Sequence, residues 1–249
     1  MSIGERRQTV KTKHSLLLVV LGAAVLLAGC RPSVRVGALQ TESHSVELGE
    51  AEAVRVEILM GAGKLAMSGG AEELMEADFA YNVAELKPEV AYGNDTLTVR
   101  QPEGIGLPVL QNIEDFQNEW GLRLNDEVPM DLTVDMGAGS TTLQLGGLSL
   151  TQLEVILGAC EGTIDLTGDW VRDLDVTIDV GAANINVLLP SDVGVRVEVN
   201  AGPTAIQTSG LTREGSAYTN AAYGVSGVTL HVSLDTGIGH VRLEVVEAE

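Results

Sequence analysis

Aromatic side chains are nearly missing from this chain: 2 Trp, 4 Tyr and 2 Phe in 249 residues. That excludes a core built on large rings and leaves no stacking platform for sugars or nucleobases. Basic residues are scarce too, 15 Lys and Arg against 35 Asp and Glu. Beyond residue 30 the balance is 11 bases against 34 acids, a net charge of −23. Such a surface repels phosphate backbones and anionic headgroups, so nucleic-acid binding is excluded. With 2 cysteines and 4 histidines there is no CxxC or HxxxH spacing, so no metal site is expected. Against these shortages stand 29 glycines and a hydrophobic fraction of 45%, which excludes a disordered polyanion.

The N-terminus reads as an export and anchoring signal. Arg6, Arg7, Lys11, Lys13 and His14 precede an apolar run from Leu16 to Ala28, closed by Gly29 and Cys30. Thirteen residues at about 1.5 Å each span about 20 Å, short of the roughly 30 Å hydrocarbon core. A basic region, a short apolar run and small residues at a boundary form a secretory signal. Thr9 disfavours a twin-arginine signal, which prefers an apolar residue there. The ending Leu27-Ala28-Gly29-Cys30 resembles the bacterial lipobox. The resemblance implies that residues 1–29 are removed and that Cys30 becomes a lipid-bearing (palmitate-carrying) N-terminus. An ordinary signal peptide with an incidental cysteine, or an uncleaved signal anchor, would present the same pattern. With Cys30 lipidated only Cys160 remains, so no intramolecular disulfide is expected. Residues 30–44 read as a polar tether.

The body repeats. Six segments each carry an alternating apolar run into a turn of small residues: Val54–Ile58 before Gly61-Ala62-Gly63, Leu132–Met136 before Gly137-Ala138-Gly139, and Leu153–Leu157 before Gly158-Ala159-Cys160. The others are Val176–Val180 before Gly181-Ala182-Ala183, Val195–Val199 before Ala201-Gly202-Pro203, and Leu230–Leu234 before Gly237-Ile238-Gly239. The turns starting at 137, 158, 181 and 201 are separated by 21, 23 and 20 positions. Period-two alternation means half-buried strands, and such a period suits one coil of a β-solenoid with a narrow aliphatic interior. A sandwich of hairpins also uses strand–turn–strand units, but Asn-Gly and Asp-Gly hairpin signals are absent. Strands are further expected over Ala77–Asn82, and as a pair, Glu89–Tyr92 with Thr96–Arg100, about Gly93-Asn94-Asp95. Pro102 and Pro108 interrupt the pattern. The expected division is therefore an N-terminal β subdomain over 45–101, a connection over 102–124 and a repeat domain over 125–249.

Met60-Gly61-Ala62-Gly63, Ala77-Asp78-Phe79-Ala80-Tyr81-Asn82, Pro88-Glu89-Val90 and Leu97-Thr98-Val99 resemble the amino-terminal part of toast-rack proteins. Val128-Pro129-Met130-Asp131-Leu132 and the later Gly-Ala-Gly turns resemble their carboxy-terminal solenoid, as in the LiaF-like cell-wall-active antibiotic response proteins. The resemblance covers roughly residues 45–249. It implies an all-β, right-handed solenoid with coils of roughly 21 residues. It also implies a link to envelope stress sensing. The LiaF-like proteins carry several membrane spans, which this chain replaces with a lipid anchor.

No catalytic constellation stands out, so no enzyme activity, cofactor or small-molecule substrate is expected. His231 and His240 flank the last turn as a surface pair. Cys160 fills a turn position taken elsewhere by Gly or Ala. Asp135, Asp179, Glu198 and Glu57 are expected to stack as an outward acidic ladder that needs no Ca²⁺. The expected role is that of a membrane-anchored envelope lipoprotein on the extracytoplasmic face, with an adhesin-like solenoid that contacts an envelope protein or a second copy of itself. The alternative is a solenoid that binds or acts on wall polysaccharide along the acidic ladder.

Overall fold

The computed structural model describes residues 35–102 and 115–247. Cys30 and the signal lie outside the described residues, and Arg35–Glu249 forms one compact unit. Fourteen strands follow one another among the described residues. They are β1 (Gln40–Val46), β2 (Val54–Ser68), β3 (Met75–Tyr81), β4 (Glu89–Gly93), β5 (Thr96–Arg100), β6 (Asn118–Leu124) and β7 (Met130–Gln144). Then come β8 (Leu150–Asp165), β9 (Leu174–Pro190), β10 (Gly194–Ala201), β11 (Thr204–Ser209), β12 (Thr212–Glu214), β13 (Ala217–Thr219) and β14 (Thr229–Val246). The described residues are all-β apart from a short 3-10 turn at Ala84–Leu86.

Each repeat is a strand with two arms joined at a corner. In β7 the first arm buries Met130, Leu132, Val134 and Met136, and the second buries Thr141 and Leu143. The inward set moves from even to odd numbers across Gly137-Ala138-Gly139. Side chains alternate strictly along an extended strand, so an added corner residue is what keeps the apolar side inward on both arms. β2, β9 and β14 make the same switch at their own corners. The arms stack in parallel: Leu132 pairs with Leu153, and Leu153 in turn with Val176, each one repeat further along the chain. Leu145, Leu148, Leu166, Trp170, Leu189 and Val193, all buried near the ends of the second arms and in the segments that follow them, close the third side of the core.

The rungs do not stack in sequence order. β14 inserts between β9 and β10, so the segment at 195–199, expected as the fifth coil, lies at the end of the ladder and the last segment lies inside it. The other end mirrors this: β2 sits between β7 and a split outer rung, whose first arm is β5 and second arm β6. One sheet therefore runs through both segments expected as separate subdomains. At its outer ends the parallel ladder passes to antiparallel strands. β4 pairs with β5, β3 with β6 and β1 with β3 at one end, and β13 with β10 and β12 with β13 at the other. β1 takes up part of the segment expected as a tether, running beside β3 from Gln40↔Tyr81 to Val46↔Met75. The hairpin of β4 and β5 turns where expected, with Asn94 and Asp95 at φ 51° and 57°.

The corners set the spacing. A Cβ built on Gly137 would stand 2.5 Å from Gly61 O, one on Gly181 2.8 Å from Gly158 O, and one on Gly202 2.5 Å from Gly237 O. Each corner carbonyl thus occupies the place where the next rung's side chain would begin. Two positions further on, Gly139 holds φ +128° and presses on Gly63 O. Gly121 is a different case: its Cβ would meet nothing nearer than Asp78 O at 3.8 Å. Gly137→Ala is expected to lower stability by about 1–3 kcal/mol, as overpacking against an unyielding neighbour does. Gly121→Ala should be neutral or stabilise by about 0.5 kcal/mol by removing backbone freedom from a strand. Urea unfolding of the two variants beside the parent checks the pair, and equal midpoints would refute the corner argument.

Candidate functional site on the outer faces of the ladder

With the inward positions filled by aliphatic side chains, the outward positions form straight rows across the rungs. On the first arms one row runs Glu57, Thr133, Glu154, Thr177, Ser233, Glu198. The next runs Leu59, Asp135, Ile156, Asp179, Asp235, Asn200. The expected single acidic ladder is therefore two. Glu57 and Glu198 share the first row with Glu154, while Asp135 and Asp179 share the second and are separated by Ile156. The misplacement has a plain origin. The expectation counts from the ends of the apolar runs, which stop directly before the corner at Met136 and Val180 but three residues before it at Ile58 and Val199. Counted from the corners, with Gly202 and not Ala201 stacked on Gly237, Glu198 lies four residues before its corner, as Glu57 does before Gly61. Asp135, Asp179 and Asp235 each lie two before theirs. Counting back from the corner glycines is the signal that brings Asp235 and Glu154 into the rows.

Asp179 and Asp235 are direct neighbours, and Asn200 Nδ2 donates to Asp235 Oδ1 at 2.6 Å. Exposed ion pairs dress the same face, Arg55 with Asp131 at 3.2 Å and Arg196 with Glu198 at 2.6 Å. Pairs of this kind contribute at most about 1 kcal/mol each, so they pattern the surface more than they hold the fold. On the second arms the outward row is Lys64, Ser140, Glu161, Asn184, His240, Ala205. A shallow depression of 670 Å³ crosses this face, with Ala66, Ala80 and Gly121 along its floor. The Lys64–Glu119 pair at 2.8 Å stands on its margin, as does Ser43 donating to Asp78 at 2.6 Å. His231 projects from the first-arm face between Asp175 and Arg196, and His240 from the second-arm face between Asn184 and Ala205. The two histidines thus lie on outer faces of different arms and do not face each other across the last turn.

Cys160 points inward. Its row continues with Gly162 and Ile164, and the thiol donates to Met136 O at 3.6 Å. Burial pushes its pKa up to about 11, so the thiol stays protonated and unreactive at neutral pH.

Three of the rings gather at one end of the ladder. Phe79, Tyr81 and Trp120 are almost fully buried where β3 and β6 extend the second arms. Phe79 meets Trp120 edge to face at 5.5 Å, and His44 meets Phe79 in the same way at 5.6 Å. The interior therefore admits aromatics where the sheet widens beyond the repeated rungs, and also among the rungs, where Trp170 is buried and donates to Leu166 O at 2.8 Å. Beside them Glu42 Oε1 accepts from Lys87 Nζ at 2.7 Å and from Tyr81 Oη at 2.6 Å. The Lys87 ammonium, then the Tyr81 hydroxyl, pull the Glu42 carboxyl down to about 2. Burial, then the bond to Glu42, raises the Tyr81 phenol to about 12. These contacts fasten the outermost strand of this end, β1, to β3 and to the 3-10 turn behind it.

Residues 35–188 match the family model described as the N-terminal domain of toast_rack, DUF2154. Among solved structures, that of a "putative cell adhesion protein" from Clostridium sporogenes is 28% identical. It covers 84% of this chain and 100% of its own, with a TM-score of 0.79. Two structures titled "putative adhesin", from Bacteroides fragilis and Parabacteroides distasonis, are each 11% identical. They cover 86% and 84% of this chain, and 100% and 98% of theirs. Their TM-scores of 0.32 and 0.31 are too low to bear on the function of this chain. No curated protein matches the sequence.

Two measurements test this surface. Glu42 is more acidic folded than unfolded, so its pairing stabilises the protein above the ordinary carboxyl pKa near 4.5 and loses that effect as pH falls toward 2. Thermal unfolding of the parent and Glu42→Gln should differ at pH 7 and converge between pH 4.5 and 2, and a difference independent of pH would refute the assignment. Millimolar Ca²⁺ should leave the melting temperature within a few degrees. A larger rise, abolished by Asp179→Asn with Asp235→Asn, would make the second row a cation site.

Proposed function

The chain belongs to the toast-rack family, and on that premise we propose that it is a non-catalytic, adhesin-like lipoprotein of the cell envelope that works by binding other proteins. The observation that carries this reading is the outer surface of the ladder. Parallel rungs present regular rows of polar side chains on a backbone whose inward half is fully occupied by packing. Surfaces of this kind recognise extended partners by many contacts spread along a face. The Clostridium sporogenes protein, described as a "putative cell adhesion protein", supports the same use of the same fold.

The anchor completes the reading. Cys30 carries the lipid and holds the chain on the extracytoplasmic face of the cell membrane, each buried methylene contributing about 0.8 kcal/mol. A body with a net charge of −23 stands off from anionic headgroups, which leaves both outer faces open to envelope proteins. A membrane sensor of envelope stress is a partner that such an anchor brings within reach.

A clickable palmitate analogue is expected to label the parent and not Cys30→Ser, with the variant moving from the membrane to the soluble fraction. Label retained by the variant would remove the anchor from the proposal. Crosslinking in intact cells followed by affinity purification should recover a membrane or envelope protein. Recovery of wall polymer alone would replace protein binding by polysaccharide binding.

A further inference from the structure

A ladder of parallel strands ends in edges, and the four edge strands among the described residues are not alike. β1 carries Glu42, tied to Lys87 and Tyr81. β4 carries Glu89, paired with Arg100. β12 is 3 residues long and includes Arg213 and Glu214. Charges and short strands are the usual means by which an edge is kept from pairing with another chain. β11 has neither. Its six residues, Thr204-Ala205-Ile206-Gln207-Thr208-Ser209, include no charge and no proline, and among the described residues it pairs on one side alone, with β14. Half of its amides and carbonyls face away from that partner. Ile206 is only partly buried against the core, and Ile238, 62% exposed, stands at the adjoining corner.

We propose that the free edge of β11 pairs with β11 of a second copy, antiparallel and across a two-fold axis. Charge selects this occupant. In a body of net charge −23, two copies approach at least electrostatic cost where neither presents a carboxylate, and β11 is the uncharged edge. Pairing β11 with β1 or β4 of another copy would set it beside Glu42 or Glu89 and would propagate without closing, whereas the two-fold pairing closes on itself. The backbone supplies the bonds, and Ala205, Gln207 and Ser209 of the two copies share the outer face. One short strand pair buries little area, so the dimer is weak and forms at high local concentration. The pairing deepens the proposed protein-binding role, on which it rests, by naming a partner, and it does not depend on the lipid.

Single cysteines at Ala205, Gln207 and Ser209, in the full chain in intact cells, test it with a short bis-maleimide crosslinker. At least one position should give a crosslinked homodimer severalfold above an Arg213→Cys control on β12. Adding Gln207→Lys should abolish the crosslink formed from Ala205→Cys or Ser209→Cys while leaving the melting temperature unchanged. Yields no higher than the control at all three positions, or crosslinks solely to a different protein, overturn the proposal. Membrane fractionation of the same cells reads the anchor separately, so failure of one claim is not mistaken for failure of the other.

Discussion

Backbone meets backbone at the corners of the rungs, and everything else in the molecule is arranged around that contact. The carbonyl of Gly61 lies where a Gly137 side chain would begin, that of Gly137 where one of Gly158 would begin, and so on to Gly237 and Gly202. Because the approach is between main chains, its geometry is the same at every rung whatever the neighbouring side chains are. Equal corners keep the arms in register, and register fixes which residues face inward. Val134, Val155, Ile178 and Leu234 then stack without any sequence identity beyond size and hydrophobicity. Cys160 illustrates the tolerance: it is buried at its corner as Ala183 is at the next, and the strand still pairs through Asp165.

A structure that propagates so readily needs ends. The chain makes them by folding back: β2 and β14 are the first and last of its two-armed strands, yet both lie one rung inside the ladder, behind split outer rungs. The splits matter because a broken rung leaves each arm free to be capped separately. At the β5–β6 split the corner partner is supplied by side chains. Gln101 Oε1 accepts from Ala62 N, and Asn118 Nδ2 donates to Ala62 O at 2.7 Å. Beyond it the second arms widen into β3 and β1, and there the core has room for Phe79, Tyr81 and Trp120. At the other end the first arm is capped by β13 and β12, while the second arm, β11, is not capped among the described residues.

How much of this the sequence discloses follows from which interactions are local. A corner and its two alternating arms are written within a single strand, and each is legible from Gly137-Ala138-Gly139 and its relatives. The Asn94-Asp95 turn is local as well. Rung order is not. Val195–Val199 and Leu230–Leu234 carry the same pattern, and nothing in either says which of them meets Val176; that is decided by where the excursion between β10 and β14 can reach. β1 hides for a different reason: an edge strand needs only one inward face, and in Gln40–Val46 that face is Glu42, His44 and Val46, which reads as polar chain. Its partners Tyr81 and Lys87 are far away in the chain and come beside it only through the fold. The acidic rows are as local as the corners themselves, but they come out correctly only when counted back from the corner glycines, Gly202 at the fifth, and not from the ends of the apolar runs.

The division of labour between backbone and side chains also bears on why this fold suits recognition. In most domains an exposed residue near a binding site also supports a turn, a cap or a packed neighbour, so changing it disturbs the scaffold. Here the outward rows rest on strands whose register comes from corner contacts and whose stability comes from the inward rows. Leu59, Asp135, Ile156, Asp179 and Asp235 occupy equivalent places in one row with five unlike surroundings. The row therefore accepts apolar and charged residues without a change in pairing, and its chemistry is free to follow a partner. What such a face gives up is depth: with no enclosed cleft to desolvate a ligand, affinity has to come from length and repetition along the rungs, or from several copies acting together.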